Sequence, residues 1–183
     1  MSTALEIFPA TLEQRLAELA AARECLLAEI SDGVDAKPAS ASGWSASQVA
    51  YHVHLTEKSI TAGLSKTLSE GKKEERRSDE YLKAEWEGIA ERVPKRENKI
   101  VAPEPLQPID APALSNSVNL LKESSAALAA FVKSTTLDDL ASISIPHPIH
   151  KEMLISGLGW LSLIARHDLR HLAQIKEVKQ SQA

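Results

Sequence analysis

Apolar residues recur every three or four positions along four long stretches of this chain. In the first stretch, five leucines between Leu12 and Leu27 follow this spacing, which is typical of an amphipathic helix. The four stretches run from about Pro9 to Ile30, from Ser45 or Ser47 to about Glu70, from Leu114 to Lys133, and from Leu154 to Val178. Four helices of this length predict an all-α fold, a four-helix bundle.

Two proline-containing segments interrupt the helical pattern. "YLKAEWEGIAERV" predicts a shorter helix that ends before Pro94, and prolines at positions 103, 105, 108 and 112 follow it. Each internal proline removes a backbone donor and clashes with the preceding turn, so this region cannot be one continuous helix. We expect a long crossover along the outside of the bundle, between the second and third long helices. "SISIPHPIHKEM" predicts an irregular piece before the last helix.

Composition and charge narrow the class of protein. Hydrophobic residues make up 43% and aromatic residues 4% of the chain, which suits one helix-rich globular domain over residues 1–183. The formal net charge of −4 disfavours nucleic acid as a partner, and no stretch approaches the roughly 20 apolar residues of a membrane span. The single cysteine, Cys25, excludes an intramolecular disulfide, and no secretory signal is visible. We therefore expect a cytoplasmic protein without a membrane partner.

The segment "RHDLRH" places two histidines, His167 and His171, four residues apart in the last predicted helix. Residues at this spacing share one helix face, so the two imidazoles can bind one metal ion. Ile164 and Gln174 fall in the same narrow arc, which puts the pair beside the core-facing stripe. The alternative is an exposed polar face. The segment resembles the H-E-x-x-H helix of zinc proteases, but Asp168 replaces the glutamate and little chain follows, so we expect no protease.

His52 is the leading candidate for a third ligand. It shares a face of the second predicted helix with Thr56, whereas His54 points about 200° away and is expected at the surface or boundary. His147 and His150 lie in the proline-containing segment before the last helix. Either of them can line the mouth of a site, or both can be ordinary polar loop residues.

Three segments carry a family resemblance. "GWSASQVAYHVHLTEKS" places Trp44 eight residues before His52, "RHDLRHLAQI" has the form H-x-x-x-H followed by L-x-Q-I, and "ENKIVAPEPLQP" bears prolines of the crossover. These motifs resemble those of the DinB-like (YfiT-like) metalloenzyme superfamily, which includes bacillithiol- and mycothiol-dependent S-transferases. The resemblance covers nearly the whole chain. Many members read H-P-x-x-G before the last helix where this chain reads "HPIHKEM", so no relative's substrate is carried over.

The resemblance implies a four-helix bundle that binds one divalent metal ion through His52, His167 and His171, in many members as a homodimer. Three imidazoles suit zinc or nickel, and also iron, and they leave a coordination position open. Such an ion lowers the pKa of bound water or activates a thiolate, which implies small-molecule hydrolysis or S-transfer from a low-molecular-weight thiol. The alternative is a non-catalytic, stress-associated binding protein whose site is closed by a fourth ligand, with His150 and Asp168 as candidates.

Four further residues are candidates for supporting the site. Glu57 and Gln174 can hydrogen-bond to the ligand histidines, although Glu57 lies about 140° round its helix from the nearest one, a poor position for direct ligation. Trp44 and Trp160 either wall the pocket or pack in the core. Cys25 belongs to the core pattern of the first helix, so a thiolate would have to come from a cosubstrate.

Overall fold

The computed structural model of the protein describes residues 5–30, 35–38, 43–97 and 100–181. Across these ranges the chain is mainly α-helical, with a two-stranded antiparallel sheet. The helices are α1 (Leu12–Ile30), α2 (Ala46–Ser69), α3 (Asp79–Arg92), α4 (Leu114–Lys133), α5 (Leu137–Ala141) and α6 (Gly157–Gln180), and the strands are β1 (Ser144–Pro146) and β2 (Leu154–Ser156). The long helices α1, α2, α4 and α6 confirm the predicted four-helix bundle.

Side-chain caps fix where the two histidine-bearing helices begin. The Ser45 hydroxyl accepts a hydrogen bond from the Gln48 amide at 3.3 Å, and the Gln48 side chain accepts one from the Ser45 amide at 2.9 Å. This capping box selects Ser45 over Ser47 as the N-cap of α2. Ser156 caps α6 and accepts from the Gly159 amide at 2.9 Å. Both helices therefore have a defined first turn.

The segment before α6 differs from the prediction. Leu154–Ser156 is a strand and not the first turn of the last helix. It pairs with β1 in the register Ser144–Ser156, Ile145–Ile155 and Pro146–Leu154. The β-branched side chains of Ile145 and Ile155 favour extended backbone, and Ser156 then serves as the cap of a helix that begins at Gly157. The piece predicted to be irregular therefore contains the first strand and the loop of a β-hairpin, and the second strand takes the start of the predicted helix.

The bundle is built from two extensively packed helix pairs, α2 with α4 and α1 with α6, and α3 packs against α6. All the long helices contribute fully buried apolar side chains, among them Leu26, Val49, Leu64, Leu121, Leu128 and Leu161. The pairing of α1 with α6 packs the first helix of the chain against the last. Among the described helices, none combines the length and the hydropathy that a membrane span needs.

The proline-containing segment between α3 and α4 forms, in its described part, one 3-10 helix, Glu104–Leu106. Pro105 is in the first turn of this short helix, where the missing N–H costs no hydrogen bond. The 3-10 helix packs against α2, and the Leu106 carbonyl contacts a side chain of that helix. The segment therefore contributes to the interior as well as joining two helices.

Two buried networks of charged side chains tie the helices together. Arg23 of α1 donates to Glu57 of α2 and Asp168 of α6, at 3.2 and 2.8 Å. Glu18 of α1 accepts from Arg166 of α6 at 3.1 Å. Glu18 and Asp168 are 0% and 1% exposed. Loss of a partner leaves an uncompensated buried charge, at a cost of about 3–5 kcal/mol.

Candidate metal centre

Three imidazoles meet between α2 and α6. His52 comes from α2, and His167 and His171 come from successive turns of α6. Nε2 of His167 lies 3.3 Å from Nε2 of His52 and 3.1 Å from Nε2 of His171. One ligand nitrogen from each ring lies within 4.8 Å of the others, so the group can hold a metal ion. The fold thus brings together the three histidines that the sequence pattern singled out.

The spacing of these nitrogens fits a small cation. With metal–nitrogen bonds of about 2.0–2.1 Å, two ligands of a tetrahedral ion are about 3.3 Å apart. The two Nε2–Nε2 distances of 3.1 and 3.3 Å are close to that value. These two distances therefore agree with one ion to which the protein would supply three ligands.

Hydrogen bonds on the far side of two rings fix where their protons are. Nδ1 of His52 donates to the Leu106 carbonyl at 2.7 Å, and Nδ1 of His171 donates to Oε1 of Gln174 at 2.8 Å. Because each acceptor is a carbonyl oxygen, the proton is on Nδ1 and Nε2 presents a lone pair. A single proton on His167 Nε2 cannot make a hydrogen bond to both the His52 and the His171 lone pairs. The cluster has more acceptors than donors, which a metal ion would balance.

Arg96 lies beside the Gln174 amide. Nη1 of Arg96 lies 3.5 Å from the Oε1 atom that accepts from His171. Arg96 is itself anchored, because its Nε donates to both carboxylate oxygens of Glu177 at 2.9 and 3.0 Å. A chain of contacts therefore runs from the segment after α3 to Nδ1 of His171. The predicted hydrogen bond from Gln174 to one of the three histidines is present.

Burial keeps the three imidazoles neutral. Burial lowers the pKa of His52, and it lowers the pKa values of His167 and His171 well below the usual imidazole value. Protonation of one ring would lower the pKa values of the others further. The guanidiniums also lower them, Arg170 that of His167 and Arg96 that of His171. Neutral imidazole is the form that ligates metals, so the site suits a cation near neutral pH.

The two tryptophans differ in their roles. The half-buried ring of Trp44 lies 4.6 Å from the ring centre of His52 and stacks on His171 at 6.2 Å. Trp160 is 2% exposed, and its indole N–H donates to the Ile145 carbonyl at 3.2 Å. Trp160 thus packs in the core and lines the cavity described next, whereas Trp44 covers two of the three histidines.

The three histidines line a cavity of about 820 Å³. Its walls come from α2, α6, the proline-containing segment and the loop of the β-hairpin. The prediction placed the proline-containing segment along the outside of the bundle, yet its residues 100–103 also line the site. Among the described residues of the wall, Arg96 and Arg170 are the charged side chains and most of the others are apolar. The volume is typical of small-molecule sites.

The other histidines do not join the three. His54, predicted at the surface or boundary, is only 8% exposed, and its Nδ1 donates to the Leu120 carbonyl at 2.8 Å. That prediction was wrong because the hydrogen bond to α4 satisfies a buried ring. His147 lines the cavity. His150 is exposed and lies 3.7 Å from Glu152, so it is no fourth ligand.

Asp168 and Glu57 are directed elsewhere. Both bind Arg23, and Glu57 also accepts from the Ser124 hydroxyl at 2.7 Å. The prediction of Asp168 as a fourth ligand was therefore wrong, and so was that of Glu57 as a partner of the histidines. Both carboxylates are needed by the buried Arg23 guanidinium. Within the described residues, no further His, Cys, Asp or Glu joins the three histidines.

The sequence reasoning missed the groups that reach the site from the segment after α3. The Leu106 carbonyl orients His52, and Arg96 lies against Gln174. No sequence motif marks either group, and a backbone carbonyl is present at every residue. Arg170, which also lines the cavity, could have been found from the sequence, because it directly precedes His171 in "RHDLRH".

Comparisons with known proteins address the family and the fold. The DinB superfamily model matches residues 4–175. The protein YuaE of Bacillus subtilis (strain 168) is 30% identical over 145 residues, which are 77% of this chain and 80% of YuaE. The solved structure of YfiT from Bacillus subtilis, a four-helix bundle of unusual topology, is similar with a TM-score of 0.60 at 20% identity, over 96% of this chain and 90% of YfiT. With its histidine-lined cavity and four-helix bundle, this chain belongs to the DinB superfamily.

Proposed function

We propose that this protein is a metal-dependent enzyme that acts on a small molecule, with His52, His167 and His171 as ligands of one divalent ion. The observation that carries the proposal is the convergence of three Nε2 atoms, two of which have their protons committed to the opposite side of the ring. Zinc or nickel suits three imidazoles, and iron is a further candidate.

An open coordination position supports catalysis over a purely structural role. Structural zinc sites have four protein ligands, whereas catalytic sites keep a position for water or substrate. Here three side chains converge on the wall of an 820 Å³ cavity, and no fourth joins them in the described residues. A divalent ion held by these three residues would supply a Lewis acid, which lowers the pKa of bound water toward neutrality.

The chain's own residues position the ligands and shield them. The Leu106 carbonyl and Gln174 hold two rings with their lone pairs turned inward. Trp44 stacks on His171 and lies tilted against His52, so it covers one side of both rings. Such supporting contacts usually change metal affinity or activity by about 10- to 100-fold. The protein's contribution is therefore a rigid, partly dry set of three nitrogen ligands.

Hydrolysis is the reaction we propose first. YfiT, which has the same fold, is itself a probable metal-dependent hydrolase. The alternative reaction is S-transfer from a low-molecular-weight thiol. The thiol must then come from a cosubstrate, because Cys25 lies on α1 and does not line the cavity. A non-catalytic binding protein is the remaining alternative, and it predicts metal without turnover.

Elemental analysis of protein purified without an affinity tag or chelator tests the ligand set. We expect about one equivalent of divalent metal in the parent and little in His52→Ala or His167→Ala. His150→Ala is the matched control, since it removes an exposed histidine. Ester and amide hydrolysis and thiol transfer are then measured on the metal-loaded parent. A parent that neither contains nor takes up metal would contradict the proposal.

The proposal extends to the whole protein: a single domain over residues 1–183, present as a homodimer in the cytoplasm. The packing of α1 against α6 supports one domain, and the family resemblance supports the dimer. Light scattering on the purified protein should give twice the chain mass of 19.9 kDa. Fractionation of the producing cells should recover the protein with cytoplasmic markers. A monomeric mass would contradict the dimer.

A further inference from the structure

The charged side chains in the cavity wall are all positive. Arg96 and Arg170 line it, and in the part of the chain that the structure describes no aspartate or glutamate does. Glu177, the partner of Arg96, is 55% exposed and lies outside the wall. A divalent ion on three neutral imidazoles adds charge of the same sign. A cleft of one sign with apolar walls concentrates ligands of the opposite charge.

Arg96 is held close to the metal ligands with donor capacity remaining. Its Nε pairs with Glu177, and its Nη1 lies beside Gln174, which orients His171. Nη2 has no hydrogen-bond partner among the described residues, and the side chain is 27% exposed. A guanidinium in such a position can donate to a carboxylate with the strength of a charge-assisted hydrogen bond.

His147 supplies a second donor from the hairpin side of the cavity. Its Nδ1 accepts from the backbone amides of Ile149 and His150 at 3.2 and 3.1 Å, so the proton is on Nε2. The ring stacks on Trp160, with ring centres 6.1 Å apart and planes 11° apart. Two backbone donors and a stacked indole thus fix this imidazole as a neutral N–H donor. A carboxylate oxygen or another anionic oxygen is its natural acceptor.

Most of the remaining wall is apolar. Ile60, Val101, Ile145, Ile149 and Leu163 contribute to it, together with the two tryptophans. An inorganic anion would leave these side chains uncovered, whereas an apolar body would bury them. Resting on the metal-dependent activity proposed above, we propose that the substrate is a small organic acid with an apolar body. Arg96 binds its carboxylate, His147 donates to a substrate oxygen, and the reacting group faces the three histidines.

The test compares two probes of one shape, phenylacetate and its neutral isostere phenylacetamide. Their affinities are measured by calorimetric titration of metal-loaded and metal-free protein. The variants are Arg96→Gln, which removes the charge, and Arg96→Lys, which keeps it. Lys95→Gln is the matched control: it removes a neighbouring charge whose side chain is 51% exposed and pairs with Glu91. Metal content is measured for every variant.

We expect the parent to prefer the acid over the amide by at least tenfold, with part of the preference remaining in metal-free protein. Arg96→Gln should abolish that metal-free preference, while Arg96→Lys retains some of it and Lys95→Gln all of it. Equal binding of the two probes by metal-free parent, or an unchanged preference in Arg96→Gln, would overturn the inference. A parent that takes up no metal but still prefers the acid through Arg96 would contradict the metal-dependent activity and leave acid recognition standing.

Discussion

Gln174→Leu tests whether the hydrogen bond behind His171 sets metal affinity. The substitution removes the oxygen that lies 2.8 Å from His171 Nδ1, and it keeps a side chain of similar volume. The ring then loses the contact that holds its proton on Nδ1 and its lone pair toward the other imidazoles. Loss of such a partner typically weakens metal binding by about 10- to 100-fold. The corresponding free energy is about 1.4–2.8 kcal/mol.

Competition with a chromogenic chelator measures this loss directly. Gln174→Glu keeps an acceptor oxygen and should bind metal at least as tightly as the parent. Lys176→Leu is the matched control, because Lys176 is exposed on the same helix. Thermal unfolding of the metal-free proteins should show Gln174→Leu folded. Metal affinity within twofold of the parent in Gln174→Leu would refute the account of how the ring is oriented.

Three further perturbations test the surroundings of the site. Arg23→Met leaves the buried carboxylates of Glu57 and Asp168 without their cation and should lower the free energy of urea unfolding by about 3–5 kcal/mol. Replacing both carboxylates by amides in the same variant should recover most of the loss. An unfolding midpoint of Arg23→Met equal to that of the parent would refute the network. Among the described residues, the buried hydroxyl of Thr56 has no hydrogen-bond partner, so Thr56→Val should unfold at the same or a higher temperature, and a loss above 1 °C would refute this. A hydrogen bond from Lys73 lowers the pKa of Asp139 from 3.8 to about 2. The stabilisation that ionised Asp139 provides is therefore complete above about pH 4 and lost toward pH 2. The parent should unfold at a higher temperature than Asp139→Asn at pH 4, and this difference should shrink toward pH 2. A difference that stays the same across that window would contradict the prediction.

The bundle and the three histidines could be predicted because their signals are local. Helical periodicity marks α2, α4 and α6, and a spacing of four residues puts His167 and His171 on one face wherever the helix packs. His52 emerged from its position on a helix face and from the family motif. These inferences need no knowledge of how distant segments meet.

The remainder depends on contacts between distant segments. In α1 the apolar spacing predicted that leucines form the buried face. Arg15, Glu18 and Arg23 are buried as well, because partners on α2, α3 and α6 neutralise or hydrogen-bond them. The sequence of α1 alone cannot reveal those partners. His54 was misplaced for the same reason: its acceptor, the Leu120 carbonyl, lies 66 residues away. The hairpin was missed because strands of three residues leave too short a pattern to detect.

X-ray absorption spectroscopy of tag-free, metal-loaded protein tests the central claim most directly, because it counts the imidazoles bound to the ion. The account predicts three imidazole nitrogens at about 2.0–2.1 Å with the remaining ligands light oxygen donors. His52→Ala binds metal weakly, so it is measured with added metal, and the ion that it then holds should have two imidazoles. His150→Ala should give the parent spectrum. Fewer than three imidazoles in the parent, or an unchanged number in His52→Ala, would contradict the account.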